Sequence, residues 1–469
     1  MLKIMKFKKF FIYFLLGIIL LIHTLILTKL IFFPYPELFI YPYLTNHGLK
    51  PYTQILDQHF PGPMFLPINL DNLGMNSPET ARLWSISIVI IIHIMLFSIG
   101  SKILQSRIRA ILVNILFLIW HPFFEGWVLW IDSFLPIILL PAFYFLFQGI
   151  KEGRGDRGIW FFWSGLFLGL GIVFKQVLIP LAVLTVIYIV WKKRNFQIPA
   201  IFLFGFLIIP GLMLIYFGSI GVLRDFWYWT VVFNLTTYAQ LGRGTGPTLA
   251  HFFRVFFVFG LPFVVIHKIK STEVQIILFF LIGTLIGLST RFDFVHFQPA
   301  LPFAVLATIY GFWSLGRLGR LGRLGVLSLY GLMTVWWLII FYKGHVGELV
   351  LSFDSDTKNL AAKIREYTDP GEKIFIFGAA PHLYQMSKTL PAGDIFVFQF
   401  PWFLKIAEEK VLEGIRKEQP NIVISDRSVI IEGAKITDYA EGLDNYINQN
   451  YQKIDSIGTT DILRRNSRI

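Results

Sequence analysis

The stretch FFIYFLLGIILLIHTLILTKLIFF, from Phe10 to Phe33, decides the fold class. A helix needs about 20 apolar residues to cross a bilayer, and this run meets that length with only His23 and Lys29 as strongly polar members. Lys3, Lys6, Lys8 and Lys9 precede it. The run is long for a signal peptide and has no small-x-small cleavage site, so it reads as an uncleaved anchor with a cytoplasmic N-terminus. Further apolar runs begin near Leu83, Ile108, Ser133, Ile159, Val177, Ile198, Leu249, Val274, Pro299 and Leu324. Together they predict about eleven spans.

Composition agrees. The 469 residues are 55% hydrophobic and 15% charged, and 49 Phe outnumber the 29 acidic residues. Soluble globular chains carry about 25% charged residues. The balance excludes an ordinary soluble enzyme, a disordered regulator and a disulfide scaffold. With no Cys, disulfides, thiolate catalysis and zinc–thiolate sites are excluded too.

The net charge of +13 would suggest nucleic acid if spread over a soluble surface. Its location says otherwise. From Phe353 onward there are 15 Lys+Arg against 17 Asp+Glu, which leaves 27 against 12 in the apolar part. There the basic residues cluster at alternate connections. They are Lys102 with Arg107 and Arg109, then Lys151, Arg154 and Arg157, then Lys192, Lys193 and Arg194, then Lys268 and Lys270, then Arg317, Arg320 and Arg323. The positive-inside rule puts these turns in the cytoplasm with the N-terminus. The Gly-Arg-Leu triplets from Gly316 to Leu324 then read as one such basic turn. An odd number of spans places the C-terminus outside, and no nucleic-acid partner is expected.

The expected organisation is a transmembrane module over 1–350 and a small soluble α/β domain over 351–469, outside the cytoplasm. Within the module, a first outer loop over 34–82 is rich in Pro, Gly and aromatics, with short interfacial helices expected. In the C-terminal part, helical patterns at Leu360–Tyr367, His382–Leu390, Phe403–Lys417 and Tyr439–Asn450 alternate with strand patterns at Lys373–Phe377, Ile395–Phe398 and Ile422–Ser425. No phosphate-cradling glycine motif occurs there, so no catalysis is assigned to it.

Three constellations fall on the outer side. The first loop carries Glu37, then Tyr52, Asp57 and His59. A carboxylate at a membrane interface can serve as general base toward a hydroxyl or bind a metal; equally, Asp57 and His59 can cap a turn before Pro61. The second constellation is Lys175-Gln176, between two apolar runs. An ionisable residue there is a functional candidate, and a cation suits an anionic headgroup, against the alternative of a snorkelling lysine. The third is Arg291, Asp293, His296 and Pro299. Arg grips phosphate with a planar fork, against the alternative of an Arg291–Asp293 or Asp293–His296 pair that caps a helix. Arg243 is a further anion candidate, and Glu125 and Asp132 bracket another outer turn. No metal is assigned, because no His/Asp/Glu cluster has a convincing spacing. A divalent ion is left open, since Glu37, Asp57 and His59 could meet in space.

Carboxylates and cations beside a bilayer suit a substrate with a lipid tail and a phosphate leaving group. In this respect the chain resembles the GT-C glycosyltransferases, above all the bacterial relatives of the protein O-mannosyltransferases and of the aminoarabinose transferase of lipid A (glycosyltransferase families 39 and 83). Gly48–Asp57 is similar to their G-x-x-P-Y-x-D stretch, with the acidic residue falling later. Lys175-Gln176 looks like their Lys-Gln before an apolar run. Arg291, His296 and Pro299 look like their Arg, His and Pro before a late span. Asp369–Gly378 matches the opening of their outer domain. Where the family has an acidic pair early in the first loop, this chain has Pro36-Glu37.

The resemblance implies a polytopic α-helical membrane protein of GT-C type. It would move a hexose or pentose from a polyprenyl-phosphate-linked sugar to an acceptor hydroxyl of a lipid, glycan or protein outside the cytoplasmic membrane, with inversion. Glu37 is the favoured base and Asp57 the alternative. Lys175, Arg291, His296 and Arg243 would hold the donor phosphate, and His59, Tyr52 and Gln176 would organise the loop or the acceptor. A lipid-linked glycan transporter would show internal repeats, and none is visible. A polysaccharide polymerase or ligase and an inactive scaffold are the other readings.

Overall fold

A computed structural model of the chain describes residues 2–151, 157–242, 246–289, 291–314 and 320–466. By contact the chain forms two units. The first comprises Met1–Phe33, Ala81–Leu212 and Thr245–Leu349, and the second Pro34–Thr80, Met213–Gly244 and Val350–Ile469.

The first unit is helical. Among the described residues, eight helices are long and apolar enough to cross a membrane: Phe10–Lys29, Pro78–Ile103, Arg107–Gly126, Ile131–Lys151, Gln176–Lys193, Gln197–Ser219, Leu249–Lys268 and Leu327–His345. The apolar runs near Ile159, Val274 and Pro299 form the shorter helices Gly158–Phe174, Thr272–Leu288 and Leu301–Trp313. Helix starts follow local chemistry. The Ser106 and Ser271 hydroxyls accept from the Arg109 and Val274 amides, and Thr248 forms a capping box with His251.

Two devices bring spans together. A Cβ at Gly165 would lie 2.1 Å from the Phe202 carbonyl oxygen, one at Gly169 2.2 Å from that of Phe206, and one at Gly205 2.2 Å from that of Phe162. The backbones of 157–174 and 197–219 therefore touch through a small-xxx-small seam, the usual source of close helix packing in lipid. The other device is polar. Asn114 donates to the Ala110 carbonyl, so its Oδ1 accepts from His93 Nδ1 at 2.7 Å. His93 Nε2 then accepts from His23 Nδ1 at 2.8 Å, and His23 Nε2 from His121 Nδ1 at 3.2 Å. This one-way chain of neutral imidazoles satisfies every buried ring nitrogen it uses and ties three helices.

The second unit is α/β. Its sheet runs in the order Tyr451–Ile457, Thr460–Arg465, Ile422–Ser425, Lys373–Phe377, Leu390–Pro391. Lys373–Phe377 pairs in parallel with Ile422–Ser425 and with Leu390–Pro391, and the C-terminal hairpin adds antiparallel strands. The helix Pro401–Glu418 starts with proline at its first turn and ends on Arg416 and Lys417, matching the helix dipole at its end. Gly378, at φ +72°, ends the first long strand; a Cβ there would meet the Asp426 carbonyl at 2.0 Å.

One expectation changes. The sequence places residues 34–82 in the transmembrane module, whereas Pro34–Thr80 groups with the C-terminal residues. The cause is direct pairing. Ile55–Leu56 forms a parallel ladder with Phe396–Val397, Tyr41 packs edge-on against Phe396 and Phe398, and Tyr43 donates to the Thr389 carbonyl.

Candidate functional site

In the first unit the helix that ends at Phe174 does not run on. Lys175 is extended, at φ −154° and ψ 114°, and a 3-10 turn, Gln176–Leu178, follows before the next helix. This break turns the lysine out of the helical register. Its Nζ donates to both Asp132 oxygens, at 2.7 and 2.6 Å, and lies 3.0 Å from His296 Nδ1. His296 Nδ1 is 2.9 Å from Asp132 Oδ2. Asp132 opens the helix Ile131–Lys151, and His296 sits in the 3-10 turn Phe294–Phe297. Side-chain exposure is 2% for Asp132 and 14% for each partner. Irregular backbone at membrane depth is tolerated where protein covers it, and a buried ion pair persists where hydrogen bonds complete it.

Beside this cluster, Pro122–Gly126 makes a tight turn with Glu125 left-handed at φ 57°. The Glu125 carboxylate accepts from the Val295 amide at 2.8 Å, and Gln298 donates to the Glu125 carbonyl at 2.7 Å. The turn and the 294–298 segment thus hold each other. Arg291 pairs with Asp293 at 2.7 Å, both partly exposed. A cation that the sequence reading did not single out, Arg254, stands with its guanidinium 4.0 Å from the Phe123 ring centre and 3.6 Å from that of Phe294. Its Nε is buried without a hydrogen-bond partner among the described residues. Arg243 lies outside the described residues.

In the second unit, Glu37 begins the buried helix Glu37–Asn46, where a negative charge suits the helix N-terminus. One turn on, the Tyr41 hydroxyl donates to Asp57 Oδ2 at 2.5 Å. The other Asp57 oxygen accepts from the His59 amide at 2.7 Å and lies 2.9 Å from His59 Nδ1. The Tyr52 hydroxyl donates to the His59 carbonyl at 2.9 Å. Tyr41 and Tyr52 are fully buried. Burial first, then the charges of Asp57 and Glu37, push the Tyr41 phenol well above its ordinary value.

A pH effect follows. An unfolded tyrosine loses its proton near pH 10, while folded Tyr41 keeps it, so the stability it contributes is whole below that pH and falls as pH rises above it. Tyr41→Phe is expected to flatten that alkaline fall by the share owed to this phenol. Thermal unfolding midpoints taken between about pH 9 and 11.5 measure it.

The candidate residues thus form two groups. Lys175 and His296 meet around Asp132 in the first unit; Tyr52, Asp57 and His59 meet around Tyr41's partner carboxylate in the second, with Glu37 also acting on Tyr41. Gln176 opens the 3-10 turn behind Lys175. Asp132 was visible only as a residue bracketing a turn, and Tyr41 gave no signal beyond its place four residues after Glu37. Among the described residues, no group of three or more His, Asp or Glu side chains is arranged to hold a metal ion.

The pattern of the family described as "Dolichyl-phosphate-mannose-protein mannosyltransferase" matches residues 69–217. The structure is similar to that of ArnT from Cupriavidus metallidurans bound to undecaprenyl phosphate, with a TM-score of 0.66 over 97% of each chain at 10% identity. The chain has the GT-C glycosyltransferase fold. The apo state of the same ArnT gives a TM-score of 0.60 at 10% identity, over 96% of this chain and 97% of that one. The archaeal oligosaccharyltransferase AglB from Archaeoglobus fulgidus, in complex with an inhibitory peptide and a dolichol-phosphate, gives 0.54 at 12% identity, over 95% of this chain and 73% of that one. No curated protein matches the sequence. Lys175 stands at a helix break, His296 in a 3-10 turn, and Tyr52, Asp57 and His59 on a turn or irregular segment, the places where function concentrates.

Proposed function

We propose that the protein is a membrane glycosyltransferase that moves a monosaccharide from a polyprenyl-phosphate carrier to an acceptor hydroxyl on the outer face of the cell membrane, with inversion. The observation that carries this reading is the partly buried Lys175 at a helix break, beside Asp132 and His296, in a fold shared over nearly its whole length with a protein solved with undecaprenyl phosphate. With Nδ1–H of His296 donating to Asp132, the ammonium keeps its third N–H for a phosphate oxygen. Arg254, Arg291 and Arg243 add cations for the charge that grows on the leaving phosphate. The base that receives the acceptor proton comes from the loop bearing Glu37, Asp57 and His59. All eleven apolar runs span the membrane in this reading, with the N-terminus in the cytoplasm and the C-terminal residues outside, as the basic turns favour.

The test uses the full-length protein in nanodiscs, radiolabelled undecaprenyl-phosphate hexoses and pentoses, and a cell-envelope extract as acceptor source. Transfer of label with stoichiometric release of undecaprenyl phosphate is the expected result. Export of intact donor across a vesicle membrane without its cleavage would overturn the reading in favour of a transporter.

A further inference from the structure

We propose that the α/β unit carries a binding site for a neutral sugar ring, in the cavity at the carboxyl end of the strand Lys373–Phe377. That strand lies between Leu390–Pro391 and Ile422–Ser425, both parallel to it. The chain leaves it through Leu383–Ser387 toward one neighbour and returns through Pro401–Glu418 to the other. In open α/β sheets, ligands bind outside the carboxyl ends of the strands at such a switch point. The cavity there measures about 90 Å³, with Ile376, Gly378 and Gln399 in its wall. One water needs about 10–15 Å³, so the space suits a small ring and is too small for a lipid chain.

Two of the lining side chains, Tyr384 and Gln399, are polar, and the sheet edge fixes both. Leu390–Pro391 pairs only with Lys373 and Ile374, so the central strand has lost that neighbour by Ile376. Side chains take over. The Tyr384 hydroxyl accepts from the Ile376 amide at 3.0 Å. The Gln399 side chain donates to the Ile376 carbonyl at 2.6 Å and accepts from the Gly378 amide at 2.8 Å. The Gln399 carbonyl is held in turn by the Tyr439 hydroxyl at 2.9 Å. A phenol also carries one hydrogen, and a side-chain amide a second N–H and a second lone pair. Among the described residues, no hydrogen bond uses these three. Burial raises the Tyr384 phenol well above its ordinary value, so it keeps that hydrogen.

The rest of the wall decides the ligand class. No charged side chain lines the cavity, so nothing there offsets a phosphate, a carboxylate or an ammonium, which are costly to bury unpaired. Phe396, Phe398 and Phe400 line it as well. Phe396 meets Phe398 edge-on at 5.6 Å, and Phe398 stacks on Phe400 at 5.7 Å, so the rings hold one another in place. A sugar ring matches this mixture. Its C–H groups suit the aromatic wall, and its neutral hydroxyls both donate and accept.

One wall can yield. The hairpin of Ile430–Ile431 with Ala434–Lys435, turned by left-handed Glu432 (φ 51°) and Gly433 (φ 80°), gives Ile431 to the lining. It pairs with no other strand among the described residues, and a two-stranded hairpin is marginally stable by itself. A sugar would enter past it.

The experiment reads binding alone, so its outcome is independent of the transfer reading. It uses the full-length protein in nanodiscs and saturation-transfer NMR with glucose, galactose, mannose, N-acetylglucosamine and arabinose, each also as its methyl glycoside. At least one is expected to bind saturably. Binding kept in the methyl glycoside marks a unit of a glycan chain as the ligand, and binding lost in it a free sugar; either supports the site. Tyr384→Phe removes the phenol hydrogen and is expected to weaken binding about 3–10-fold, the worth of one neutral hydrogen bond. It also takes a partner from the Ile376 amide, so a second variant guards against loss of fold. Ile431→Trp fills the cavity from the hairpin and is expected to abolish saturable binding with the thermal midpoint held. Ile430→Trp, at a position 66% exposed on the same hairpin, should bind as the unaltered protein does. Saturable binding that survives in Ile431→Trp, binding of adenosine or uridine in place of the sugars, or no binding of any sugar in the panel overturns the proposal.

Discussion

Lys175→Met is expected to cut release of polyprenyl phosphate by at least about 10²–10³-fold, the usual loss when a preorganised donor to a developing anion is removed. It should also destabilise the fold, because Asp132, 2% exposed, would be left without its cation. Breaking a buried pair from one side costs about 3–5 kcal/mol. The two effects are separable. In Asp132→Asn/Lys175→Met both charges are gone, and the thermal midpoint should return most of the way toward the unaltered value. Turnover should stay lost. Thermal unfolding and donor turnover measured on the two singles and the double decide the matter. A double variant that recovers turnover would show that the pair only holds the helix break in place. A double no more stable than the single would show that the charge pair is not what sets stability there.

The second large effect is expected at Arg254. Its guanidinium stands over Phe123 and Phe294, at 4.0 and 3.6 Å from the ring centres, while Nε has no hydrogen-bond partner among the described residues. Ring contact holds the cation for about 0.5–2 kcal/mol without consuming its N–H donors. Arg254→Met is therefore expected to weaken donor binding by about tenfold or more, near the 1.5–3 kcal/mol of a charge-assisted hydrogen bond, with the fold intact. Arg254→Lys should recover little, because an ammonium neither lies flat on a ring nor offers a planar fork. Titration with undecaprenyl phosphate by intrinsic tryptophan fluorescence measures both. Unchanged affinity in Arg254→Met would sink the assignment and leave Arg254 as a packing residue.

The candidate residues differ in how far the sequence could expose them. Lys175 was legible because an apolar environment makes one charge conspicuous. His296 and Arg291 were legible for the same reason, and because proline follows them. Asp132 was less so, since a carboxylate at the first turn of a helix is ordinary chemistry. Arg254 was hidden because it follows two phenylalanines in an apolar run, where snorkelling is the common outcome. Asp57 and His59 carried a local signal, two residues apart, but the phenol that completes their network comes from Tyr41 on another element.

By itself the sequence determined the membrane character, the positions of the apolar helices and the strand–helix order of the C-terminal residues. These depend on runs and periods set by near neighbours along the chain. It also narrowed the candidate chemistry to a few charges, because a chain with so few charged residues leaves little else to choose from. Only the tertiary structure decided the partners. Lys175 meets Asp132 across 43 positions and His296 across 121, and residues 55–56 pair with residues 396–397. Such contacts depend on how separate helices and strands pack, and no local pattern encodes that distance.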